Sequence, residues 1–157
     1  MASQKPPGQI SKPNISTIYD EDYYLWIETT AKQLQERKFL EIDIDNLVEE
    51  IESMGRSEKS ALKSNLVVVL IHLLKWQYQS SMRSNSWKSS IREHRRRLRE
   101  ALQDSPSLNP YLLEVFGECY QDAREQASDE TGLPLESFPV IPLLSSNEAL
   151  NPDFLPE

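Results

Sequence analysis

The middle of this chain holds a stretch of sequence that leaves few choices of fold. Leu66–Ile71 is an unbroken apolar run, which resumes at Leu73 and Leu74 after His72 and ends at Lys75. Leu62, Leu66, Val69, Leu73 and Trp76 recur with a 4-3-4-3 spacing, and Val67, Val68, Leu70, Ile71 and Leu74 fill most of the remaining circumference. A helix that is apolar nearly all round must be buried nearly all round. The valines alone would suit a strand. The helical period continues on both sides, however, and no turn residue interrupts it. The run is far short of the roughly 20 apolar residues that cross a bilayer. It predicts a buried central helix over about residues 57–82.

The surroundings agree with an all-α chain. With 157 residues, four glycines and prolines placed mainly toward the ends, the sequence favours long helices within one domain. Asp20 is the expected N-cap of a first helix reaching about Arg37, on which Tyr23, Trp26, Ile27, Thr30 and Leu34 share a face. Asp43 is the next N-cap, ahead of a face formed by Leu47, Val48, Ile51 and Met54. Gly55 stands where a helix-ending C′ glycine would, so a break or kink is expected there. Trp87, Ile91, His94 and Leu98 form a further helix, ended by Ser105-Pro106. Asn109-Pro110 offers an N-cap and N1 pair for the last long helix, which fades near Asp129. The reading is a bundle of about four to five helices around a buried central helix, over residues 19–130. Residues 1–18 form a mobile arm. Residues 131–157 form an irregular tail, with Phe138, Val140, Ile141, Leu143 and Leu144 against the bundle, one helical turn at Ser146–Leu150, and a loose end from Asn151.

The opening MASQKPPGQISKPN lacks the apolar region of a signal peptide, and the lone Cys119 allows no internal disulfide. Both features lead us to expect a cytoplasmic protein with no membrane segment. The net charge of −8 disfavours nucleic acid as a partner, because phosphate binding depends on Lys and Arg.

Several longer motifs are distinctive. NLVEEIESMGRSE (46–58), HLLKWQYQ (72–79), SNSWKSSIREHRR (84–96) and DSPSLNPYL (104–112) resemble the bacterial family known as domain of unknown function 29. DEDYYLWIE (20–28) and NPDFLP (151–156) are similar to it as well. The resemblance covers roughly residues 19–156. It implies an all-helical fold and a bacterial origin, in a family especially common in photosynthetic bacteria. It implies no activity.

Three constellations could carry chemistry. Asn65, His72 and Gln79 lie at i, i+7, i+14 and draw a polar seam along the central helix, extended by Glu58. With Glu49 and Glu52 from a facing helix, His72 could serve a metal-assisted hydrolase or nuclease, as ligand or proton carrier. The seam lacks a second histidine at ligand spacing, so no metal or other cofactor is expected. Hydrogen bonds that fix helix register are the favoured reading. Second, Arg83, Lys88, Arg92, Arg95, Arg96, Arg97 and Arg99 form a basic run that contains Trp87. Trp87, Arg92, Arg95 and Arg96 are the candidate binding residues for another protein, with nucleic acid as the alternative. The competing reading pairs the run with the acidic block Glu41, Asp43, Asp45, Glu49, Glu50 and Glu52. Third, Trp26, Trp76, Trp87, Tyr23, Tyr24 and Tyr78 could line a groove, although helical spacing favours packing. No phosphate loop, nucleophile elbow or CxxC occurs. The sequence thus favours a non-enzymatic protein-interaction module. It identifies no catalytic residue and gives no oligomeric state.

Overall fold

The buried central helix is present, and it is longer than its apolar part. The computed structural model describes residues 14–157, the side chain of Ser16 aside. Six α-helices run along the described residues: α1 (Ile15–Glu21), α2 (Tyr23–Gln35), α3 (Ile44–Tyr78), α4 (Asn85–Asp104), α5 (Asn109–Thr131) and α6 (Ser146–Leu150). No strand occurs among the described residues, and the fold is all-α. Residues 1–13, most of the expected arm, lie outside the described residues. The part that is described turns helical at Ile15.

The chain divides into two compact units, Met1–Met54 and Gly55–Glu157, and α3 passes from one into the other. The break expected at Gly55 is therefore absent. Left-handed backbone, which makes a C′ glycine useful, occurs at Gly132 and Arg37 but not at Gly55. The residues on both sides of Gly55 are ordinary helix formers, and one interior glycine costs only about 1 kcal/mol.

The N-terminal unit is a helical hairpin. Asp22, rather than Asp20, caps α2: its non-helical backbone ends α1 and its side chain accepts from the Leu25 amide at 3.0 Å. Arg37, with a φ of 58°, takes the chain out of the helix. A 3-10 turn at Phe39–Glu41 follows. Asp43 then opens α3 by accepting from the Asn46 amide and side chain.

The C-terminal unit holds the main core. Leu62, Leu66, Val69, Leu70, Leu73 and Leu74 of α3 are buried against Ile91 and Leu98 of α4 and Leu112, Val115, Cys119, Tyr120, Ala123 and Ala127 of α5. Ser84 caps α4 through the Trp87 amide, and Ser105-Pro106 ends it as expected. Asn109 is not an N-cap. A 3-10 turn at Pro106–Leu108 leads straight into α5, so Asn109 is already helical and its side chain donates back to the Pro106 carbonyl. Gly132, at φ 70°, terminates α5.

The tail is more ordered than its composition suggests. Phe138, Leu144 and Ala149 belong to the core, whereas Val140, Ile141 and Leu143 are exposed. Helix α6 forms at Ser146–Leu150 behind a Ser145/Glu148 capping box. The final segment is not loose: Phe154 and Leu155 pack against the core.

A Cβ added at Gly55 would meet nothing within 4 Å. Gly55→Ala should therefore raise unfolding stability by about 1 kcal/mol. Urea denaturation measures this, and a loss of stability would show that the glycine conformation is required.

Candidate functional site

The basic run separates into residues with quite different tasks. Arg95 lies on the Ile91–Leu98 face of α4, and its side chain is buried. Its guanidinium donates to the carbonyls of Ala149 (2.7 Å), Phe154 (2.8 Å) and Glu148 (3.0 Å). Two of these are last-turn carbonyls of α6, the helix end that favours a cation. Burial, with Arg99 nearby, pushes its pKa down to about 10, so it remains charged at neutral pH. Arg124 repeats the arrangement on α5, donating to the Phe138 and Leu135 carbonyls and to Gln121. Tyr120 and Gln121 donate to the carbonyls of Pro139 and Val140.

The exposed arginines pair along their own helix. Arg96 forks to Glu100 and Glu93, and Arg97 donates to Glu93 at 2.9 Å. These two arginines hold the Glu93 carboxyl down at about 2. Arg92 is exposed. Trp87 is half-buried under Lys75, whose ammonium also bonds Glu130 at 2.7 Å. Arg83 and Lys88 lie over the Trp76 ring. Of the candidate binding set, Arg92 is an open cation among the described residues, Arg96 is engaged and Arg95 faces inward.

The polar seam is internally satisfied over part of its length. His72 Nδ1 donates to the Val68 carbonyl at 2.8 Å. Asn65 donates to the Ala61 carbonyl, which turns its side-chain oxygen to accept from His94 Nδ1 at 2.7 Å. Gln79 falls one residue beyond α3, and Glu58 is exposed. His94 thus joins the seam from α4. Glu49, Glu52 and His72 belong to the single helix α3, so the expected arrangement of a Glu-bearing helix facing a His-bearing one is not found. Among the described residues, no group of three or more His, Cys, Asp or Glu could hold a metal ion. Cys119 is buried, and burial pushes its thiol up to about 11, which makes it a poor nucleophile.

Two grooves remain. The larger, about 630 Å³, lies in the C-terminal unit between α3 and α5. Its lysines are occupied: Lys63 bonds Glu118 at 2.6 Å and Lys59 sits 4.7 Å over the Tyr111 ring. The smaller, about 290 Å³, lies within the N-terminal hairpin. Helix α2 supplies Tyr23, Trp26, Ile27, Thr30, Ala31 and Leu34, at spacings of 3, 1, 3, 1 and 3. Helix α3 supplies Leu47, Glu50, Ile51 and Met54 in the same rhythm. Each set is one face of a helix. Ile51 and Met54 remain 59% and 67% exposed, while Trp26 is buried.

One end of this groove is held by a polar clamp. The Glu50 carboxylate accepts from the Tyr19 and Tyr23 hydroxyls, each at 2.6 Å. The bonds push Tyr19 up to about 12, raise Tyr23 and lower Glu50. Tyr19 meets Trp26 edge-on at 4.9 Å, and Tyr23 stacks near it at 6.1 Å. Trp26 Nε1 and Thr30 Oγ1, both buried, have no hydrogen-bond partner among the described residues. Native cores seldom leave such groups unpaired. The groove has a fixed apolar floor, yet it is not a finished core.

The model of the family described as "Domain of unknown function DUF29" matches residues 18–155, and the chain belongs to that family. No curated protein and no solved structure matches it. Among the described residues, no helix is long and apolar enough to cross a membrane.

Replacing Arg95 by Met removes three charge-assisted hydrogen bonds, the one to Ala149 buried and those to Phe154 and Glu148 part-buried. A loss of about 3 kcal/mol in urea unfolding is expected, against less than about 0.5 kcal/mol for Arg92→Ala. Equal stability of the two variants would remove the structural role of Arg95.

The pKa of His94 is lowered by burial, by Arg97 and by His72, against an opposing effect of Glu93. A lowered pKa favours the neutral ring in the folded state. Its stabilisation is complete above the ordinary value of 6.5 and is lost as pH falls from there through the folded pKa. The lowered carboxyls Glu36, Glu50 and Glu93 act in a separate window, below 4.5. Urea midpoints taken downward from pH 7.5 should therefore fall less steeply in His94→Gln than in the parent once the pH drops below 6.5, before the carboxyl window is reached. Identical slopes would refute this.

Proposed function

We propose that this member of the DUF29 family is a non-enzymatic protein-interaction module, and that the groove of its N-terminal hairpin is the recognition surface. One observation carries the reading. Two single-faced helical stripes converge on a preformed apolar groove whose rim residues Ile51 and Met54 remain largely in solvent. Binding grooves are generally largely preformed, apolar and furnished with a few polar groups. Here the Tyr19–Glu50–Tyr23 clamp stiffens the aromatic end, which lowers the ordering cost of binding.

The Arg-rich helix is a poorer choice of surface than its charge suggests. Arg95 is committed to the chain's own backbone, and Arg96 and Arg97 to Glu93 and Glu100. A bacterial, cytoplasmic setting fits the role. The family resemblance points to bacteria, and the free buried thiol of Cys119 suits a reducing compartment.

Ile51→Gln/Met54→Gln keeps length and helix propensity while making the rim polar. Because both residues are exposed, thermal unfolding should barely move. Partner capture from cells of origin should fall at least about tenfold, since loss of an apolar anchor costs an interface more than about 1.4 kcal/mol. A variant that folds normally and retains every partner would sink this surface.

A further inference from the structure

We infer that the occupant of the hairpin groove is a basic amphipathic helix of another protein; this rests on the groove being the recognition surface. The apolar stripe of α2 runs from Tyr23 to Leu34, eleven residues on. That is about 16 Å, or three turns, which matches a docked helix rather than a single small molecule. Trp26 and Thr30 are buried at the floor of the groove, and Ile27, Ala31, Ile51 and Met54 line it from exposed positions. A helix presenting apolar residues at i, i+3, i+4 and i+7 fills a trough of this shape.

Charge decides between the possible occupants. Residues 14–54 carry eleven Asp and Glu against three Lys and Arg, whereas residues 55–157 carry fourteen against twelve. Among the described residues, the negative charge of the chain is thus concentrated on the hairpin that holds the groove. A second copy docking hairpin to hairpin would bring two such fields together, and like fields oppose association. An anionic lipid surface is repelled for the same reason. A helix with an apolar face and a Lys- or Arg-rich back is drawn in, and its apolar face finds a groove already lined.

The test uses the full chain and two synthetic helices of about 18 residues, five turns each. One has a Leu/Lys pattern and the other the same pattern in Leu/Glu. Binding is followed by fluorescence anisotropy of the labelled peptides. The Leu/Lys helix should bind the parent at low salt. It should bind Ile51→Gln/Met54→Gln at least about tenfold more weakly. Raising the salt should weaken the complex further. The Leu/Glu helix should bind at least about tenfold more weakly than the Leu/Lys helix.

Three results would overturn the inference. They are no Leu/Lys binding to the parent, equal Leu/Lys binding to the groove variant, or equal binding of the two peptides. Sedimentation of the parent gives a fourth: a dimer dissolved by the groove substitutions would identify the occupant as a second copy. Failure of any peptide arm, with partner capture still lost in Ile51→Gln/Met54→Gln, discards the basic helix and leaves the interaction reading standing. Unchanged capture discards the surface itself.

Discussion

A helix that is apolar on nearly every side needs cover on nearly every side, and the second half of α3 imposes that demand on the C-terminal unit. Helices α4 and α5 supply most of the cover. The remainder comes from a segment rich in proline and poor in regular structure, which brings unpaired carbonyls into the interior. Such groups are tolerated only when something donates to them. Arg95 and Arg124 do so, each spending several N–H groups on main-chain oxygens. A planar guanidinium suits the task because one side chain can reach carbonyls in several directions. Tyr120 and Gln121 add two more donors along the same path. The irregular cover can stay close to the core because these donors leave few of its oxygens stranded.

The N-terminal hairpin solves an easier problem and stops short of completing it. Its apolar stripes meet around Trp26, and the Glu50 clamp ties α3 to the two tyrosines before α2 proper and at its start. Ile27, Leu34, Ile51 and Met54 stay open. Contiguous apolar surface left in solvent sets this hairpin apart from the closed core of the C-terminal unit.

Much of the fold could be read from periodicity and punctuation. The apolar half of α3, the stop at Ser105-Pro106 and the turn at Ser146–Leu150 each rest on local chemistry that a sequence displays. Gly55 was misleading because glycine permits a helix end without requiring one, and the surrounding helix formers prevail. Asp20 was the expected cap, but Asp22, two residues on, carries the same side chain, and its backbone geometry makes it the cap. Arg95 is more instructive. In a list of charges it is one cation of seven, but it stands four residues after Ile91 and three before Leu98, on the apolar face. Arg124 stands likewise between Tyr120 and Ala127. A cation at an inward position was the available signal for a buried donor. The groove was half legible. The faces of α2 and α3 were visible separately, whereas their convergence around Trp26 depends on how the hairpin closes.

The reach of Arg95 also bears on the order in which the chain can fold as it is made. Its three partners lie 53, 54 and 59 residues further on. The C-terminal unit cannot satisfy that guanidinium until Phe154 has been synthesised and has cleared the ribosome. The hairpin needs nothing beyond Met54 for its own clamp and groove. On a nascent chain the two units therefore mature at different times: the hairpin can settle while the ribosome is still translating α4 and α5. During that interval the apolar face of α3 waits for the last segment of its cover. The later stretch of synthesis is when this protein most needs shelter from aggregation.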